Sequence, residues 1–115
     1  MSMRSIVLGA APRSENVRER VRKKLISLLR DPQRAREIGA AYLRSPPEQR
    51  APPLALAETV LVETGPAAGI EAIRRYVVAR IRRELEDAQV VSLDGWIISP
   101  TEAQLCALVA ADGAP

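Results

Sequence analysis

The chain has no histidine and no phenylalanine, and it holds one cysteine, one tryptophan and two tyrosines in 115 residues. Each shortage removes a class of function. Without histidine there is no imidazole base, no Ser-His or Cys-His nucleophile pair and no histidine-ligated zinc site. One thiol, Cys106, excludes an intramolecular disulfide and a thiolate-built metal site, and is consistent with a reducing compartment. Cys106 lies among Leu105 and Leu108 with no basic neighbour to lower its pKa, so it reads as packing and not as a nucleophile. No glycine-rich phosphate loop is present, because Gly65 and Gly69 have neither the spacing nor the lysine. The N-terminal apolar run, Ile6 to Ala11, is shorter than a signal-peptide core and far shorter than a membrane span. These absences lead us to expect a cytoplasmic protein that is not an enzyme, with no catalytic residue, no cofactor, no metal and no membrane association.

What is present is aliphatic and charged. Hydrophobic residues make up 47% of the chain and aromatic residues 3%, so the core must be built from Ala, Val, Leu and Ile. That composition favours closely packed helices over a sandwich. Net charge is +3 and unevenly spread: residues 1–50 hold 12 Lys/Arg against 5 Asp/Glu, and residues 51–115 hold 5 against 9. Fifteen of the seventeen basic residues are arginine, which suits bidentate pairing with carboxylate or phosphate.

The strongest helical pattern starts at Ile70 and continues through Ile73, Val77, Ile81 and Leu85, with Val78 and Ala88 widening the stripe. Its spacing predicts a helix from Ala67 to Asp87, started by Gly65-Pro66, acting as the spine of the domain. Glu71/Arg75 and Arg82/Glu86 are placed to pair across its outer side. Glu84, Glu86 and Asp87 form an acidic group read as a solvated face paired with Arg80, Arg82 and Arg83. Next come Val90-Val91-Ser92-Leu93, the turn signal Asp94-Gly95, and Trp96-Ile97-Ile98, which together predict a short hairpin. Ser99-Pro100-Thr101-Glu102 reads as a capping box opening a last helix with Leu105, Leu108 and Val109 on one face.

Upstream, Ile6-Val7-Leu8 can make a brief strand. Ser14 can cap a helix with Val17, Val21, Leu25, Leu28 and Leu29 on its apolar side. Asp31-Pro32 starts another, lined by Ala35, Ile38, Gly39 and Tyr42, with Gly39 suited to a close helix contact. Four prolines between Ser45 and Pro53 mark a stiff connector, with Ser45 and Glu48 able to cap one turn. A helix from Leu54 to Thr64, apolar on two sides, should lie between neighbours. The expected fold is mainly α: four to five helices with a minor β-hairpin near residues 90–98. It forms one domain over residues 1–115, divided into a basic helical pair (14–44), a proline-rich connector (45–53) and a helical core (54–111).

The run Val91 to Leu105 resembles the opening of the winged-helix output domains of response regulators. Those domains read strand, Asp-Gly, strand, then Leu-(Thr/Ser)-Pro-Thr-Glu and a leucine-rich helix. The likeness covers these fifteen residues and reaches neither a recognition helix nor a wing, so it carries no expectation of DNA binding and the family is not assigned.

Two surfaces are candidates for contact. Arg18, Arg20, Arg22, Lys23 and Lys24, extended by Arg34, make a basic face that could meet an acidic protein or nucleic acid. Aromatic residues for stacking on single strands are absent nearby, which favours the protein. Trp96, the sole tryptophan, is expected either to pin the closing helix to the spine or to anchor a partner, with the structural role preferred. The functional expectation is a small non-enzymatic accessory subunit, adaptor or regulator acting through protein–protein contact, as a homodimer or heteromer. The alternative is a small nucleic-acid-binding regulator using the basic N-terminal helix.

Overall fold

In the computed structural model, residues 16–112 are described. They contain five α-helices and one two-stranded antiparallel sheet. Helix α1 covers residues 16–27, and α2 runs from Pro32 to Arg44. A 3-10 turn at Pro47–Gln49 leads to α3, Ala55–Thr64, and then to α4, Ile70–Glu86. Strands β1 (Val91–Leu93) and β2 (Trp96–Ile98) precede α5, Pro100–Asp112. The strand expected at Ile6-Val7-Leu8 and the Ser14 cap lie outside the described residues.

Helix α5, and not α4, is the spine. Seven of its residues are buried: Thr101, Ala103, Leu105, Cys106, Ala107, Leu108 and Val109. On α4 only Ile73 and Val77 are. Two apolar cores form on opposite sides of α5. Leu105 and Leu108 join Val21 and Leu25 of α1, Leu56, Ala57 and Val60 of α3, and Ile73 and Val77 of α4. Ala103, Cys106, Ala107 and Val109 join Ala35, Ile38, Ala41 and Tyr42 of α2 and Leu93 of β1. A helix apolar on every side belongs in the interior, whereas a single clean stripe such as that of α4 belongs to a helix with one face in water.

Helices α2 and α5 pack tightly because Gly39 lies directly on the α5 backbone. A Cβ at Gly39 would sit 2.0 Å from the Cys106 carbonyl oxygen and 2.9 Å from the Ala107 nitrogen. Asp31 caps α2 as its sequence implies, its Oδ1 accepting from the Arg34 N–H at 3.1 Å, with Pro32 in the first turn. The connector is held against α2 at two points. The Ala51 N–H donates to the Tyr42 hydroxyl at 2.8 Å, and Arg50 Nε donates to the Ser45 carbonyl at 2.9 Å.

Helix α4 is shorter than expected at both ends. Gly65, at φ 90°, closes α3, but Pro66 falls in the following turn and Gly69 is extended, so α4 begins at Ile70. At the other end Ala88 has left the helix with φ 56° and does not widen its stripe. The Ala88 N–H donates to Leu85 and the Gln89 N–H to Glu84, the two bonds of a Schellman cap built on alanine where glycine is usual. Leu54 precedes α3 and is exposed, its place on the inner side taken by Leu56, Ala57 and Val60.

The hairpin forms as the turn signal implies. Asp94 and Gly95 both have positive φ, and Val91, Ser92 and Leu93 pair with Ile98, Ile97 and Trp96. Two strands alone are marginal in water. Here Leu93 is buried in the second core, and Arg44 at the end of α2 bonds Asp94 at 2.9 Å.

Two substitutions check this geometry through thermal or urea unfolding. Gly39→Ala, which adds helix propensity, should nevertheless destabilise by about 3 kcal/mol or more, because backbone cannot move aside as a side chain can. Ala88→Gly should stabilise by about 1 kcal/mol by removing the left-handed strain. Reversal of either sign would contradict the geometry.

Candidate functional site

The basic N-terminal face is largely engaged within the protein. Arg18 reaches Glu58 on α3 at 3.3 Å, and Lys24 Nζ donates to the Ala68 carbonyl at 3.0 Å. Arg22, its side chain 16% exposed, is bound by Glu19 and by Asp112 at the end of α5, the latter at 2.8 Å. The Arg22 hydrogen bond holds the Glu19 carboxyl below its ordinary pKa, and Glu19 and then Asp112 raise that of the guanidinium. Arg34 lies apart on α2, with its guanidinium 5.2 Å from the centre of the Trp96 ring. Arg20 and Lys23 are exposed and have no ion pair among the described residues. Of the six basic residues singled out by sequence, four thus hold structure together and two project into water.

Trp96 is not the buried pin expected. It is 38% exposed and faces Arg34 of α2, not α4. Leu93 and Trp96 are cross-strand partners on the same face of the hairpin; Leu93 is buried in the second core, while Trp96 lies against the Arg34 guanidinium with part of its ring in water.

In the acidic group Glu86 and Asp87 are exposed and Glu84 pairs with Arg80, as expected, but Glu84 does not belong to a solvated face. Glu84 is mostly buried and caps α5 from outside that helix, accepting from the Thr101 N–H at 2.9 Å and the Thr101 hydroxyl at 2.7 Å. Arg80 completes the set, 3.6 Å from Glu84, with Nε donating to Thr101 Oγ1 at 2.8 Å and Nη1 to the Tyr76 hydroxyl at 3.3 Å. Ser99 Oγ accepts from the Glu102 N–H at 3.1 Å, so the capping box forms on its serine side, while Glu84 from another helix takes the neighbouring Thr101 N–H. On the outer side of α4, Arg74 pairs with Glu71 in place of Arg75. A cavity of about 270 Å³ beside this network is lined by Glu63, Tyr76, Arg80, Arg83 and Glu84. Its charges balance, and every buried side-chain nitrogen or oxygen among the described residues has a partner. The described residues contain no group of three or more Cys, Asp or Glu placed to hold a metal ion, and no helix long and apolar enough to cross a membrane.

The feature that the sequence pattern did not single out is apolar. A groove of about 440 Å³ runs between the end of α1 and α4, over α5. Leu28, Leu29, Val77, Val78, Ile81 and Leu105 line it, with Arg30, Arg74 and Glu102 at its margins. Val78 is 44% and Leu85 50% exposed, so the stripe continues beyond the groove along the outside of α4. Its signal was legible: the α4 stripe is wider than two buried residues require.

No protein-family model, curated protein or solved structure matches the chain. The local unit of strand, Asp-Gly turn, strand and capped helix forms, and its helix is the buried α5.

Measurements at two residues test these placements. Trp96→Ala should cost about 1 kcal/mol, the scale of an exposed cation–π contact, and not the loss of a core aromatic. Tryptophan emission should lie close to that of a solvated indole. Burial pushes the Cys106 thiol from its ordinary 9.0 up to about 11, with Glu102 adding to the shift. The folded state therefore holds its proton more tightly than the unfolded state, so this contribution is complete below pH 9 and lost between pH 9 and 11. Cys106→Ala should flatten that part of the stability profile, and a disulfide reagent should label the native thiol only on unfolding.

Proposed function

We propose that the chain is a non-enzymatic cytoplasmic protein, an accessory subunit, adaptor or regulator, that acts by binding another protein. The observation that carries this reading is the groove between α1 and α4 with its exposed continuation at Val78 and Leu85. Apolar surface left in water at a concave site is what a partner's side chains fill. The engagement of Arg18, Arg22, Lys24 and Arg34 in internal contacts supports a protein partner over nucleic acid. On α1 itself only Arg20 and Lys23 remain without an ion pair among the described residues, two cations where phosphate binding by that helix needs several.

Affinity capture of the tagged chain from its native host, followed by mass spectrometry, should recover a stoichiometric protein that Val78→Asp releases. Duplex and single-stranded nucleic acid should bind no better than about 10 μM at physiological salt, within the non-specific range. Sub-micromolar, sequence-selective binding abolished by Arg20→Gln and Lys23→Gln would replace this reading with a nucleic-acid-binding regulator.

A further inference from the structure

Resting on that reading, we infer that the groove receives an acidic amphipathic helix of a partner protein. Shape supplies the first argument. Val78, Ile81 and Leu85 stand at i, i+3 and i+7 along α4, and the other wall is Leu28-Leu29. A helix laid between these walls meets them with its own apolar residues at the same spacing, the usual helix-in-groove arrangement. Charge supplies the second. Arg30 stands on one wall, and Arg75 and Arg82 are on α4 beside Val78. All three are exposed and have no ion pair among the described residues. Arg74, also at the margin, is held by Glu71. Against these stand Glu102, half-buried at the groove, and Glu86, exposed at the end of α4. The surplus is positive, and it flanks the apolar strip on both sides.

The same charges argue against a second copy. Two α4 helices packed about a two-fold axis with Val78 against the other copy's Leu85 bring their Arg82 side chains together as they lose water. The acidic helix of this chain, α3, offers a second copy only Val62 as a large exposed apolar residue. Its Glu58 is already bound to Arg18. One apolar residue cannot fill a strip that extends over two turns of α4.

The test uses the full chain and two designed helical peptides of about sixteen residues, roughly four turns. Both carry leucine at i, i+3, i+4 and i+7. The remaining positions are glutamate in one and lysine in the other. Amide chemical shifts follow the titrations. The glutamate peptide should shift the signals of Leu28, Leu29, Val78 and Ile81, and its affinity should fall as salt rises. Val78→Asp should weaken it at least tenfold. The double variant Arg75→Glu, Arg82→Glu, exposed at both positions and so expected to fold, should weaken it similarly and strengthen the lysine peptide. Equal binding of both peptides, shifts confined to another surface, or no binding at all would overturn the inference. Two further outcomes assign the groove elsewhere. Self-association of the wild type, abolished by Val78→Asp, gives it to a second copy. Groove signals that move on deletion of residues 2–13 give it to the chain's own N-terminus. The broader reading fails separately: these peptide outcomes leave it standing unless capture from the host also returns no protein that Val78→Asp releases.

Discussion

The contact on which the rest of the structure depends is the seat of Gly39 on the backbone of Cys106 and Ala107. It lets α2 and α5 approach with only small side chains between them, and the second core is accordingly built from alanines, one cysteine, one valine and one isoleucine, closed by Tyr42 and Leu93. Many short-range dispersion contacts replace the few large ones that aromatic rings would provide. A chain with no phenylalanine can therefore still make a dense interior. With α2 fixed on one side, the remaining faces of α5 are left to α1, α3 and α4, and the larger Leu, Ile and Val side chains collect there.

The polar contacts determine where α4 can lie. Thr101 is buried at the start of α5, and its N–H and hydroxyl both donate to Glu84 while Arg80 bonds the same hydroxyl. Hydrogen bonds to charged groups contribute about 1.5–3 kcal/mol, and breaking one here leaves a buried group unmatched. The network therefore fixes both the rotation of α4 about its axis and its position along α5. That rotation turns Ile73 and Val77 inward and leaves Val78 and Leu85 in water. The apolar groove is thus a product of the polar cap.

How much of this was legible in the sequence follows from how local each cause is. Asp31-Pro32, Asp94-Gly95 and Ser99-Pro100 specify caps and a turn within a few residues, and each forms where it is written. The Gly39 contact was legible as a possibility, because glycine inside a helix requires a packing reason. The rank of the helices was not. A clean stripe identifies a helix with a wet side, so α4 looked dominant. The buried α5, apolar around its whole circumference, shows no contrast to detect. The acidic residues were legible only in part for a related reason: the Arg80–Glu84 pair forms, but the buried role of Glu84 is not local. Glu84 lies four residues from Arg80, but its main work is on Thr101 of another helix, and sequence spacing carries no such information. Residue size suggests burial for Trp96, whereas it lies against Arg34 of α2 and keeps 38% of its surface in water, a contact between distant residues that sequence spacing does not carry. The groove lay in plain view as surplus width in the α4 stripe.

That both cores share α5 has a consequence for how the chain comes off the ribosome. Among the described elements α5 is the last in order, so α1, α3 and α4 can meet one another before it appears, but the part of each core that α5 supplies stays open. Local helices can flicker into being at once, but neither core can close until Leu105, Cys106 and Leu108 have left the exit tunnel. The two then close together, since ordering one face of α5 orders the other. At roughly 5–20 residues per second, the earlier helices wait several seconds in this state. The density of arginine on α1 and α4 gives them solubility during that interval, a use of charge that acts before the folded surface exists.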